Sequence, residues 1–288
     1  MTGWTDPVIA ALERAPSVAE WFFRDDDAGW ADARLSALVD VFDRGGTMLD
    51  LAAIPAAVSR ELASSLRHLV QSGAVAVHQH GWAHVNHQPA GRRSEFGSAR
   101  APEDQLDDLR RGRALLSDLL YGAVLPVFTP PWNRCEDRTV SMLEEVGLTA
   151  LSCDVTAPCR NLPGVAEVPV HVDWSRCWRE GGPSRLGTEL CRAVDTLRSP
   201  SAQGDGTGST QAGEEALPPI GVMLHHAVMT DEELVALARL LGALSAHPTA
   251  SLTSMCALVD GGRQDSVALP QAVLPRGEGR PATGRRIA

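Results

Sequence analysis

The chain has 288 residues, 44% of them hydrophobic and 22% charged, enough apolar material for one large core and a composition typical of globular proteins. Its net charge of -10 excludes a general nucleic-acid binder, which needs a clustered positive field. Every basic residue is arginine, so Schiff-base chemistry and a Walker-type lysine are excluded as well.

Residues 1–18 read as an N-terminal extension without the basic-then-apolar pattern of a secretion signal. No stretch reaches the ~18 apolar residues that a membrane span requires, so a cytoplasmic setting with no membrane partner is expected. "AEWFFRD" predicts a first strand. Leu35, Leu38, Val39 and Phe42 recur at i, i+3, i+4 and i+7 and predict a helix closed by Gly45 and Gly46. "TMLDLAAIP" is a second strand, Val58, Leu62, Leu66 and Leu69 mark the buried stripe of a second helix, and "AVAVH" is a third strand.

Leu106, Leu109, Leu116 and Leu120 predict the next helix, followed by the strand "VLPVFTP", a helix over 136–146 stopped by Gly147, and the strand "TALSCD". "VAEVPVHV" and "PIGVMLHH" complete seven strands, and the last helix opens with a capping box, Thr230 to Glu233. This alternation predicts βα units around a parallel sheet, a single domain over 19–262. The small, Gly-rich stretch 199–218 reads as a mobile insertion and 263–288 as a disordered tail. Six cysteines without a C-x-x-C pair read as free thiols.

Polar residues gather where the predicted strands end, which is where parallel βα proteins build their sites. Asp25, Asp26 and Asp27 end the first strand, His78 and His80 the third, the run from Thr129 to Arg134 the fourth, and His225 and His226 the last. His80 and His84 have the H-x3-H spacing that lets two rings share a cation, and a carboxylate from "DDD" would complete a three-ligand set with open positions for water and substrate. Three adjacent acids after Trp21, Phe22 and Phe23 read as buried, and like charges so placed call for a cation.

These residues resemble the polysaccharide deacetylases, carbohydrate esterase family four, over roughly residues 20–230. The resemblance implies an α/β fold, a distorted seven-stranded β/α barrel, and a metal-dependent hydrolase that removes acetyl groups through metal-activated water. "FRDDDAG" looks like the family's first motif, which implies Asp26 as base and Asp27 as metal ligand, with Asp25 and Asp26 as the alternative register. "HGWAH" is similar to the second and gives His80 and His84 as the other ligands. "FTPPWNR" resembles the third, placing Pro131, Trp132, Asn133 and Arg134 against the substrate, with a backbone amide near Trp132 for the oxyanion.

"VMLHHAV" looks like the fifth motif and points to His225 as general acid, with His226 as its alternative. The family's arginine ahead of the Pro-Pro pair is Thr129 here, so the cation beside the base falls to Arg24 or Arg134. The fourth motif is matched only loosely, by Asp154 or by Asp173-Trp174. The implied cofactor is one divalent metal, zinc first among candidates, and the implied partner is a small-molecule or oligosaccharide substrate. His78 and His87 are expected as supports rather than ligands, and Glu95 and Arg100 as possible substrate contacts. The competing expectation is a glycan- or partner-binding barrel that has lost activity.

Overall fold

A computed structural model describes residues 3–157, 163–198 and 218–261. The expected tail at 263–288, and all but the last residue of the expected insertion at 199–218, lie outside the described residues. Nine parallel strands form one curled sheet in the order β6-β5-β4-β3-β2-β1-β8-β7, with β9 also pairing with β1. They are β1 (Ala19–Ala28), β2 (Leu49–Ala53), β3 (Val75–His80), β4 (Val127–Thr129), β5 (Ala150–Leu151), β6 (Ala166–Glu167), β7 (Val172–Asp173), β8 (Ile220–Leu224) and β9 (Ala250–Leu252).

Each of the seven expected stretches contains a strand. Two strands are additional: "VAEVPVHV" contains β6 and β7 on either side of Pro169, and β9 follows the helix that opens at Thr230. The chain changes partner between Val170 and His171. Val168 and Val170 donate their amides to the β5 side, at Leu151 and Cys153, whereas the His171 amide donates to Gly221 on β8. The switch curls the sheet into a distorted barrel.

Side-chain alternation along the strands separates two environments. Trp21 and Phe23, Leu49 and Leu51, Val75 and Val77, and Val222 and Leu224 face outward into the helices. Phe22, Val127, Ala150 and Met223 share a separate cluster inside the curl. The outer layer includes α2 (Asp32–Gly45), α3 (Arg60–Gln71), α6 (Trp174–Arg198) and α7 (Asp231–Ala246). The capping box at Thr230 and Glu233 forms as expected.

Three features depart from the expected pattern. The stretch 136–146 is not one helix but α5 (Asp137–Val140) and a separate 3-10 turn, Glu144–Val146. The expected extension contains α1 (Asp6–Glu13), whose Val8, Ala11 and Leu12 belong to the same buried cluster as the strands. Helix α6 is 25 residues long and bends at Gly181 and Gly182, just before Pro183, which masks its periodicity.

Candidate metal centre

Strand alternation should send Asp26 inward and Asp25 and Asp27 outward. The β1–β2 register instead shifts between Asp25 and Ala28, and Asp27 adopts φ 72°, so the chain bulges and Asp27 turns back toward the third strand. Asp27 Oδ1 thereby lies 3.3 Å from His80 Nε2 and 3.2 Å from His84 Nε2. One ligand atom from each of these three residues lies within 4.8 Å of the others, the arrangement a single cation requires. His84 itself has φ 56° and follows Gly81, whose φ of 57° starts the loop.

The three groups fit a divalent metal on several counts. Asp27 Oδ1 is buried and makes no hydrogen bond, the state of a ligand atom awaiting a cation. His80 Nδ1 lies 3.0 Å from the Thr129 carbonyl and donates to it, so Nε2 presents its lone pair toward Asp27. One carboxylate and two imidazoles make a donor set suited to zinc and similar cations, with positions left open. Burial opposes the charged form of Asp27, but the approach of His80 lowers its pKa. Burial likewise opposes a charge on His80, and Asp27 and Asp26 raise its pKa.

Asp26 points inward beside this set and is held by Arg24, two residues earlier on the same face of β1. Arg24 Nε donates to Asp26 Oδ1 at 2.7 Å and Nη2 to Oδ2 at 2.9 Å, a bidentate pair. The guanidinium also donates to Ser152 Oγ at 2.7 Å and to Asn133 Oδ1 at 2.8 Å. Burial alone would raise Asp26, but Arg24, with His80 and His225 beside it, outweighs burial and holds the carboxyl at about 2. Of the two arginines considered, it is therefore Arg24 that meets the carboxylate. Arg134 donates instead to the Arg93 carbonyl at the edge of a groove.

His225, next on the inward side after Met223, lies close enough to Asp26 to favour its charge, and its Nδ1 is buried without a partner. His226 faces outward, where its amide donates to Asp25 Oδ1 at 2.8 Å and its Nδ1 to Oδ2 at 2.6 Å. Its Nε2 donates to the Trp30 carbonyl at 2.7 Å. Burial would lower His226, but Asp25 reverses this and raises it to about 9. Asp25 thus pairs with His226 and is not brought to Asp27, His80 and His84.

His84 is flanked by two rings: Trp30 meets it edge-on at 4.9 Å and Trp132 at 4.4 Å. Pro131, Trp132 and Asn133 form a 3-10 turn in which Trp132 and Asn133 have positive φ. Trp132, Asn133, Arg134, Asp154 and Asp173 line a groove of about 590 Å³ that runs away from the centre. Trp174 is fully buried in the helix-facing cluster, stacked on Trp178. Trp82 lies under the Arg111 guanidinium on α4 (Pro102–Leu119).

Two expected substrate contacts have other work. Glu95 is buried, and its carboxylate accepts the amides of Trp82 at 3.1 Å and Ala83 at 2.8 Å, tying down the ligand loop from within. Arg100 is paired with Asp108 at 2.6 Å. His87 is exposed, its amide bonded to the Ser94 carbonyl, and stands outside the three-residue set. His78 is buried against Thr129 Oγ1 at 2.9 Å, and burial lowers it to about 3, which keeps it neutral. The Ser152 clamp, the Glu95 anchor and the Trp30 wall were missed in the sequence, because each acts across a long separation that no local pattern announces.

No protein-family model matches the chain, and no curated protein matches its sequence. Solved structures do. A putative polysaccharide deacetylase from Mycobacterium smegmatis is similar with a TM-score of 0.61 at 13% identity, over 90% of this chain and 96% of that one. A CE4 family pseudoenzyme from Bacillus anthracis gives 0.56 at 13% identity, over 86% and 67%. A family 4 acetyl xylan esterase from Clostridium thermocellum, solved with a cobalt ion, gives 0.51 at 13% identity, over 84% and 92%. The fold is that of the CE4 polysaccharide deacetylases. Since a pseudoenzyme shares it, what this chain does must be argued from its own residues. Among the described residues no helix is long and apolar enough to cross a membrane.

Proposed function

We propose that the protein is a metal-dependent hydrolase that removes an acyl group, acetyl first among candidates, from an amide or ester of a sugar or small molecule. The observation that carries this reading is the convergence of Asp27, His80 and His84 beside an Asp26 clamped by Arg24. Asp27, His80 and His84 would hold one divalent cation, with zinc as the assignment. An Asp26 kept this acidic is a weak base, suited only to a water whose own acidity is raised, and that Lewis acidity is what the cation supplies when bound.

In this reading Asp26 accepts the proton of the attacking water, with Arg24 fixing its direction. The backbone amide of Trp132 donates to the oxygen that becomes negative at the acyl carbon. His225 gives a proton to the departing amine or alkoxide. Asn133 joins the Arg24 clamp to the groove, so the substrate wall and the base share one hydrogen-bond network. The Trp132 ring and Arg134 line the groove in which the rest of the substrate lies.

The test pairs metal content with acetate release from a panel of acetylated sugars and small amides. Asp26→Asn should retain the metal and lose release, whereas His80→Ala should lose both. Equal metal loss in the two variants would move the base elsewhere. A metal-loaded wild type that releases nothing from the whole panel would leave a binding barrel without hydrolysis.

A further inference from the structure

Asp25, the first aspartate of the triple, and His226, the second histidine of the pair, have no part in that chemistry, yet they form a fully buried contact on the outer face of the sheet. Their surroundings are the helix-facing core of Trp21 and Phe23, where an apolar pair would ordinarily be at least as stable as an ionic one. What distinguishes the pair is its third contact. His226 Nε2 reaches the Trp30 carbonyl, in the middle of the turn that leaves β1.

That turn carries three left-handed residues in five, Asp27 at φ 72°, Gly29 at 117° and Ala31 at 50°. Two of them are not glycine, a conformation that persists only when the surroundings impose it. The backbone contributes the Trp30 amide to the Asp27 carbonyl at 3.1 Å and the Ile54 amide to the Ala28 carbonyl at 2.9 Å. His226 adds a side-chain tether from the far side. Trp30 is 40% exposed and is not held by burial, although its ring walls His84.

We propose that Asp25 and His226 are positioning residues: acting through the Trp30 carbonyl, they hold the turn that presents Asp27 to the cation and set the Trp30 ring against His84. Asp25 orients the imidazole and His226 carries the tether. The inference rests on the metal centre proposed above, and deepens it by adding a support on the opposite side of the sheet.

The experiment strips the purified full chain with a chelator and titrates it with Co²⁺, reading the dissociation constant by competition and the visible absorption of the bound ion. His226→Asn places an amide where Nδ1 stood, keeping the Asp25 contact and losing Trp30; His226→Gln places one where Nε2 stood and reaches Trp30. The Asn variant should bind Co²⁺ about tenfold more weakly with altered absorption bands, and the Gln variant within about threefold of wild type. Should the Asn variant fail to fold, Asp25→Leu with His226→Phe removes both buried charges, and should fold with the same tenfold loss. The inference is overturned if folded variants bind as tightly as wild type, or if Asn and Gln lose affinity equally. A wild type that takes up no Co²⁺ overturns the metal centre and this inference together.

Discussion

The Arg24–Asp26 clamp buries two charges whose side chains are 0% and 3% exposed. Burial raises Asp26, and Arg24 together with His80 and His225 more than reverses it, so a carboxyl ordinarily at 3.8 stands at about 2, worth about 2.5 kcal/mol in favour of the ionised folded state. Because the folded value is depressed, that contribution is complete above pH 3.8 and is lost as pH falls through 2. Arg24→Met keeps the volume but leaves Asp26 uncompensated, at a cost of about 3–5 kcal/mol. Asp26→Asn strands the guanidinium, though Ser152 and Asn133 still accept from it. In the double variant neither charge is stranded, so the two losses should fall short of additivity by about 2–3 kcal/mol. Urea unfolding of the four proteins measures this, with the same coupling at pH 5 and pH 7. Additivity within about 0.5 kcal/mol would refute the clamp, and with it the physical basis for keeping Asp26 ionised.

Asp50, buried beside Arg24 on β2, accepts only the Met255 amide at 2.9 Å, and burial raises it to about 8. Its neutral form stabilises the fold, so wild type should lose a few kcal/mol as pH rises from 4 through 8, and Asp50→Asn should flatten that slope and be the more stable protein at pH 8. His226, raised to about 9, contributes stability that is complete below pH 6.5 and disappears as pH rises through 9, an effect of about 3 kcal/mol visible in the unfolding midpoint and abolished when Asp25→Leu and His226→Phe are combined, so that neither buried charge is left unpaired. Gly81→Ala puts a methyl into Glu95 and Pro131 at a φ of 57°, so it should cost more than about 2 kcal/mol and weaken metal binding, as read by denaturation and chelator competition.

The barrel was legible because strands and helices carry different periodicities, and α2, α3 and α4 each coincide with an expected stripe and α7 with the helix opened by the capping box. What stayed hidden has physical causes. Pro169 and the Gly181-Gly182-Pro183 run break patterns that are otherwise regular, and the two-residue strands β6 and β7 are too short to show separate periods. In the site, the spacing of His80 and His84 announced itself, whereas the choice among three aspartates did not. It is made by a bulge and a positive φ at Asp27, and neither belongs to residue identity. Glu95 shows the same limit from the other side: a polar residue in a loop reads as a surface contact until its carboxylate is found buried among amides.

Thr129 stands where the resemblance implies an arginine, and the cation beside Asp26 comes from Arg24. An arginine two residues before Asp26 on the same strand faces the same way by alternation, so clamp and carboxylate are carried by one rigid element rather than by a strand and a separate loop. Thr129 then serves the neighbouring strand twice, its carbonyl accepting a hydrogen bond from His80 Nδ1 and its hydroxyl meeting His78. The consequence is that changes in the 131–134 loop should alter the groove without releasing Asp26, because only the Asn133 contact links the two. Asn133→Ala should therefore raise KM for a preferred substrate more than it lowers kcat, whereas Arg24→Met should act on kcat; the reverse pattern would return control of Asp26 to the loop.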